Sequence, residues 1–128
     1  MLYTAQLARW SRLPPRIETI DISVKTGVKP WNIFAPTWKM VTDIKDGQIS
    51  EKQYIEQYYT LMRQRYKTDR NVFDMLIKKA IQSDVALACY CPSYTFCHRL
   101  LLKDILLKIE PKLIYAGEYE IEQELTLF

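Results

Sequence analysis

Apolar positions along this chain recur at period two in some stretches and near 3.6 in others, and the changes of period mark its elements. Tyr3, Ala5 and Leu7 alternate with Thr4 and Gln6, which predicts a first strand over residues 1–7. Residues 9–16 contain Pro14 and Pro15, which deny both helix and central-strand hydrogen bonding, so this segment reads as a loop. It gathers Arg9, Arg12 and Arg16 around Trp10, better read as a lid over a solvated crossover than as a base-stacking platform. Ile20, Ile22 and Val24 predict a second strand over 18–24, turning at Gly27. Trp38, Val41 and Ile44 then recur at helical spacing from Thr37, with Gly47 as the stop.

The best-marked helix start is Ser50 with Gln53 three residues on, a capping box, with Ile49 and Tyr54 placed to close a hydrophobic staple. Tyr54, Tyr58, Leu61, Met62 and Tyr66 keep one apolar face, a break is expected within 67–71, and Val72, Phe73, Leu76, Ile77 and Ala80 mark a further helix. Residues 85–91, Val-Ala-Leu-Ala-Cys-Tyr-Cys, form a continuous apolar run, as in a strand buried on both faces of a parallel sheet. A polar turn at 92–95 leads to a helix opening on Phe96, Cys97, His98 and Arg99 and ending before Pro111. Residues 113–116 read as a fourth strand. Beyond Gly117, Tyr119, Ile121, Leu125 and Leu127 share one side and Glu118, Glu120, Glu122 and Glu124 the other, an acidic edge strand or an arm over 118–128. Strands separated by helices predict one α/β domain over residues 1–128, with a mainly parallel sheet covered by helices on both faces.

Composition adds bounds. A chain of 128 residues buries enough apolar surface to need no staples. No signal-peptide pattern or bilayer-length apolar run is present, so a cytoplasmic, reducing setting is expected and no membrane partner. Three cysteines there read as thiols or metal ligands rather than bridges. Residues 1–112 carry all 18 basic side chains against 11 acidic ones, while the remainder carries four glutamates. That balance is compatible with nucleotide phosphates but lacks the dense basic stripe of a DNA-binding face.

Ligands of parallel sheets bind beyond the carboxyl ends of the strands, which directs attention to Ser23–Gly27 and Cys89–Arg99. All three cysteines and the only histidine fall within the second stretch. Cys89 and Cys91 share a strand face, and Cys97, His98 and Arg99 lie at a helix start, where free amides and the dipole favour an anion and a depressed thiol pKa. A phosphatase-type loop needs a cysteine six residues before its arginine. Here Cys91 precedes Arg99 by eight and Cys97 by two, so that reading fails. Zinc held by Cys89, Cys91, Cys97 and His98 is a second reading, weakened because adjacent helix residues diverge. The leading reading is a pocket for a nucleotide-like or other anionic small molecule, needing no cofactor. Arg99 holds the anion, Cys97 or Cys91 is the reactive thiol, His98 the acid or base, and Ser23, Lys25 and Tyr90 complete the rim. The bland alternative makes the cysteines small buried side chains and lets Arg99 bridge an acid such as Asp21. A rival of another class is a binding module in which Arg63, Arg65, Lys67 and Arg70 contact nucleic acid or a protein.

The run Val85-Ala-Leu-Ala-Cys-Tyr-Cys-Pro92 followed by Phe96-Cys-His-Arg99 resembles the signature of the domain of unknown function family 488, in its phage and prokaryotic subgroup. Asp21-Ile-Ser23, Lys25-Thr-Gly27, Phe34-Ala-Pro-Thr-Trp38 and the helix from Tyr54 to Tyr66 resemble the same family, so the likeness spans nearly the whole chain to about Glu118. It implies a compact Rossmann-like α/β domain, and by analogy a role linked to nucleotides or nucleic acid. The turn Pro92-Ser-Tyr-Thr95 and the extra Cys91 depart from the family pattern, in which acidic residues often precede Cys-His-Arg.

Overall fold

The computed structural model describes residues 1–7, 13–91 and 97–119. The loop at 9–12, the turn at 92–95 and the acidic segment beyond Tyr119 lie outside the described residues.

Four strands form one all-parallel sheet: β1 (Leu2–Gln6), β2 (Ile17–Asp21), β3 (Asp84–Cys89) and β4 (Tyr115–Tyr119), in the order β2-β3-β1-β4. The helices are α1 (Trp38–Lys45), α2 (Glu51–Thr68), α3 (Arg70–Gln82) and α4 (His98–Ile109), with one 3-10 turn at Trp31–Phe34. The class expected from the pattern, a compact α/β domain, is the class found. No helix among the described residues is long and apolar enough to cross a membrane.

Local chemistry explains the boundaries. The Thr37 side chain accepts from the Met40 amide at the start of α1, and Gly47, at φ 75°, lets the chain leave it. Ser50 and Gln53 form both bonds of the capping box that opens α2. The expected break separates α2 from α3 at Asp69. β2 and β3 are shorter than their apolar runs because Ile22 and Tyr90 already belong to the turns that build the site.

Because side chains alternate along a strand, β3 serves two cores. Val85 and Leu87 join Leu2, Ile20 and the buried faces of all four helices, including Tyr58, Phe73, Leu76 and Leu102. Ala86 and Ala88 face the other way and pack with Ala5 and Ile17 under Tyr3, Leu7, Leu13 and Tyr119. Helices were expected on both faces. Among the described residues none of the second cluster's members comes from a helix, and the small alanines leave room for Leu7 and Leu13 to pack on that face.

β4 differs from expectation in a way that matters below. The register slips between Leu2 and Tyr3, so Tyr115 pairs with Leu2 but Gly117 with Tyr3 and Glu118 with Thr4. Gly117, at φ 109°, adopts a backbone that favours glycine. The extra residue brings Glu118 to the helix-covered side, where strict alternation places it facing solvent with the later glutamates.

Candidate functional site

All four strands run parallel, so Asp21, Cys89 and Glu118 reach the same end of the sheet, where α4 begins. The turn after β2 is tied down by one carboxylate. Asp21 accepts from the Ser23 amide at 2.9 Å, from the Ser23 hydroxyl at 2.7 Å and from the Thr26 hydroxyl. With both hydroxyl protons committed to Asp21, Thr26 Oγ1 is left to accept from the Tyr90 hydroxyl at 3.0 Å. Tyr90 is thereby fixed across the gap between β2 and β3.

The cysteines form a compact group: Cys89 ends β3, Cys91 lies two residues on, and Cys97 caps α4. Their three sulfurs all lie within 4.8 Å of one another, with Cys89 Sγ and Cys97 Sγ 2.7 Å apart. That is close enough to hold one thiolate-binding metal ion. His98 is outside the group. Its Nε2 is 2.8 Å from the Ile22 carbonyl, which can only accept, so Nε2 carries the proton and the Nδ1 lone pair faces Cys97 Sγ at 3.6 Å. Burial pushes the His98 pKa down, which keeps the ring neutral.

Arg99 is fully buried. Its Nε and Nη2 reach the two oxygens of Glu118 at 3.1 and 2.9 Å, a bidentate pair. Nη1 donates to Cys89 Sγ at 3.0 Å and to the Cys91 carbonyl at 2.9 Å. Burial lowers the guanidinium pKa, but the bonds to Glu118 and the negative sulfur beside it outweigh burial and raise it overall. The acid that meets Arg99 is therefore Glu118, through the bulge in β4, and not Asp21.

Charge in the cluster settles on Cys89. Hydrogen bonds from the Cys91 and Cys97 thiols, aided by the positive Arg99 guanidinium, hold the Cys89 thiol well below its usual range despite burial. Donating those bonds has the reverse effect on the donors: Cys97 and Cys91 are both pushed up. The sequence placed the ionisable thiol at Cys97 because that residue stands at a helix start. The packed cluster favours Cys89 because only its sulfur collects three donors.

This distribution predicts a stability profile. Below about pH 8.5 the unfolded chain protonates all three cysteines, whereas the folded protein keeps Cys89 ionised. The unfolded state thus binds more protons and stability rises with pH. Above about pH 8.5 the unfolded chain sheds protons that folded Cys91 and Cys97 retain, and stability falls. Urea denaturation in reducing buffer should show a gain of about 1 kcal/mol from pH 7 to a maximum near pH 8 and a similar loss by pH 9. Cys89→Ser should remove the rise and, because Cys91 and Cys97 owe their raised pKa values first to Cys89, shrink the fall as well; an unchanged rise in that variant would place the thiolate elsewhere.

A cavity of about 560 Å³ opens beside the cluster. Cys89, Cys91, Cys97 and His98 line it together with Ser23, Lys25 and Tyr90, so seven of the residues singled out from the sequence share one space. Arg99 does not line it. Trp38, Lys45 and Tyr54 also border it and were not singled out. Trp38 is 61% exposed, and with Val41 and Ile44 it forms the apolar stripe of α1. At the sequence level that stripe reads as core; in the fold Trp38 and Val41 border the cavity, Ile44 borders it while packing against the core, and Met40 is buried in the core. The Tyr54 pKa is raised, chiefly by burial and further by the cysteine cluster beside it.

The basic helix surface is divided. Arg65 donates to the carbonyls of Ile33 and Ala35 and is partly buried, so it braces the 3-10 turn. The Arg70 guanidinium sits 5.2 Å from the Tyr66 ring centre. Arg63 and Lys67 border a separate groove of about 770 Å³ between α2 and α4.

No curated protein and no solved structure matches the chain at a significant level. A family model, DUF488-N3a, described as the active DUF488-N3 subclade, matches residues 10–110 and so takes in β2, the cysteine cluster and all four helices. The chain belongs to the DUF488 family.

Proposed function

We propose that the chain binds a nucleotide-like anionic ligand in the cavity at the strand ends and presents a thiol to it. The composition of that cavity carries the reading. Trp38 and Tyr90 offer exposed aromatic faces to a base, Lys25 and Lys45 offer charge to a phosphate, and the cysteines form the adjoining wall. Cys89 supplies the thiolate, held by Arg99. Cys91 and Cys97 carry the protons, and His98, held by Nε2 on the Ile22 carbonyl, packs its Nδ1 edge against Cys97. Arg99 thus acts by positioning and charging the sulfur, while the lysines take the anion-binding role. The description of the matched subclade as active is in keeping with chemistry at this site.

The test is calorimetric titration of the reduced protein with nucleoside mono- and triphosphates. Lys25→Ala and Lys45→Ala should each weaken binding by about tenfold, the worth of one charge-assisted bond, with little change in melting temperature. Absence of binding by the parent protein at millimolar nucleotide, or equal binding by the double lysine variant, would reject the reading.

The sulfur spacing favours one second reading, a zinc ion held by Cys89, Cys91 and Cys97. The fourth position would then open to the cavity, since His98 Nε2 is committed to Ile22. Elemental analysis of protein purified in reducing, chelator-free buffer is expected to give one zinc per chain on that reading. A content well below this, unchanged by added zinc, removes it.

A further inference from the structure

Cys89 and Cys97 stand closer to each other than their shared role in the pocket demands. Their sulfurs are 2.7 Å apart, little more than the about 2.05 Å of a disulfide bond. They belong to the end of β3 and the cap of α4, so a bond between them would clamp the strand end to the helix start and close residues 90–96 into a loop. Both residues are buried but line the cavity, the side from which a molecule as small as a peroxide would approach them. Arg99 Nη1, anchored by Glu118, donates to Cys89 Sγ and favours negative charge on that sulfur in particular. Cys91 is placed differently. It sits two residues from Cys89 in the same strand extension, where a bridge would distort the backbone.

We propose that Cys89 and Cys97 form a peroxide-sensitive dithiol, with Cys89 the sulfur oxidised first and Cys97 the thiol that resolves it. In the first step the Cys89 thiolate attacks the terminal oxygen of a peroxide ROOH. The O–O bond breaks, the sulfur becomes a sulfenic acid, and RO⁻ leaves and takes up a proton as ROH. In the second step Cys97 attacks the Cys89 sulfur. The S–S bond forms, the sulfenic oxygen departs as hydroxide, and the Cys97 proton joins it as water. Two thiols are oxidised by two electrons and one peroxide is reduced. A dithiol reductant reverses the change, ending as its own disulfide. Oxidation removes the thiolate that the reduced pocket presents, so the bond switches that chemistry off. The inference shares its sulfurs with the function proposed above and does not depend on which ligand the cavity takes.

The experiment treats the reduced, full-length chain with equimolar hydrogen peroxide under native conditions, then alkylates remaining thiols in denaturant. Intact mass should show two of the three thiols lost within one chain. Chymotryptic cleavage after Tyr90 and Phe96 separates the three cysteines, and the surviving alkyl group should be on Cys91. Cys91→Ser should still form the Cys89–Cys97 bond, at a rate lowered by the loss of one thiol donor to Cys89, whereas Cys97→Ser should stop at a Cys89 sulfenic acid that dimedone captures. A disulfide containing Cys91 in the parent, a link between chains, or three thiols still open to alkylation would overturn the proposal. Mapping the parent requires no variant to fold. Nucleotide titration of the reduced protein is a separate measurement, so loss of one result leaves the other standing.

Discussion

Glu118→Ala should destabilise the protein by about 3 kcal/mol, the low end of what removing one partner of a buried ion pair costs. The reason is asymmetric burial. Arg99 is 0% exposed, whereas the Glu118 side chain keeps 18% of its surface. Without Glu118 the fully buried guanidinium loses two hydrogen bonds at 3.1 and 2.9 Å. Cys89 still offers it a partner, which keeps the effect from reaching the upper range. Arg99→Met should cost a comparable amount, because the partly exposed Glu118 carboxylate can be hydrated but the Cys89 sulfur and the Cys91 carbonyl lose their donor. Urea denaturation of both variants and of the double variant gives the coupling energy. A loss below about 1 kcal/mol in Glu118→Ala would mean that the pair contributes no more than a surface salt bridge.

Gly27→Ala is the second large effect. A Cβ on residue 27 would lie 2.5 Å from the Ser23 carbonyl oxygen and 3.2 Å from that of Asp21. Both are backbone atoms of the strand end, so no side-chain rotation relieves the contact. The turn must open, and with it goes the bond from the Gly27 amide to the Ser23 carbonyl, 3.1 Å long. The overpacking and the lost bond together should cost about 2–3 kcal/mol, and roughly 10 °C in melting temperature. The strain also reaches the site, since the same turn supplies the Ile22 carbonyl to His98 and Thr26 to Tyr90. Nucleotide binding should therefore weaken beyond the change expected from partial unfolding. A variant that melts like the parent would show that the turn has room to shift.

Most of the architecture is legible because it is written locally. The capping box at Ser50 and Gln53, the stop at Gly47 and the apolar face of α3 each depend on residues within a few positions of one another. The apolar run of β3 and the α4 start at His98 are of the same kind. The candidate site is legible to the same extent: Cys89, Cys91, Cys97 and His98 are close in sequence, and the rule that parallel sheets bind at their carboxyl ends joins Ser23 and Lys25 to them.

What is not legible depends on pairs remote in the chain. Nothing near Glu118 announces that it faces Arg99, because a bulge opposite Leu2 and Tyr3 decides which way it points. The assignment of the thiolate is of the same kind, since it follows from how many donors converge on each sulfur. Trp38 and Lys45 join the cavity only because α1 folds over the end of β2 and β3, which no periodicity within α1 records.

The sequence by itself therefore determined the α/β class, the main helix starts and stops and the stretch that holds the cysteine cluster, because propensity, capping and period act over a turn or a strand. Only the tertiary structure decided that Arg99 is a buried partner of Glu118 and Cys89, that donors converge on the Cys89 sulfur, and that the exposed Trp38 and Lys45 border the cavity. Burial and hydrogen-bond direction set those outcomes, and both are properties of atoms brought together from distant parts of the chain.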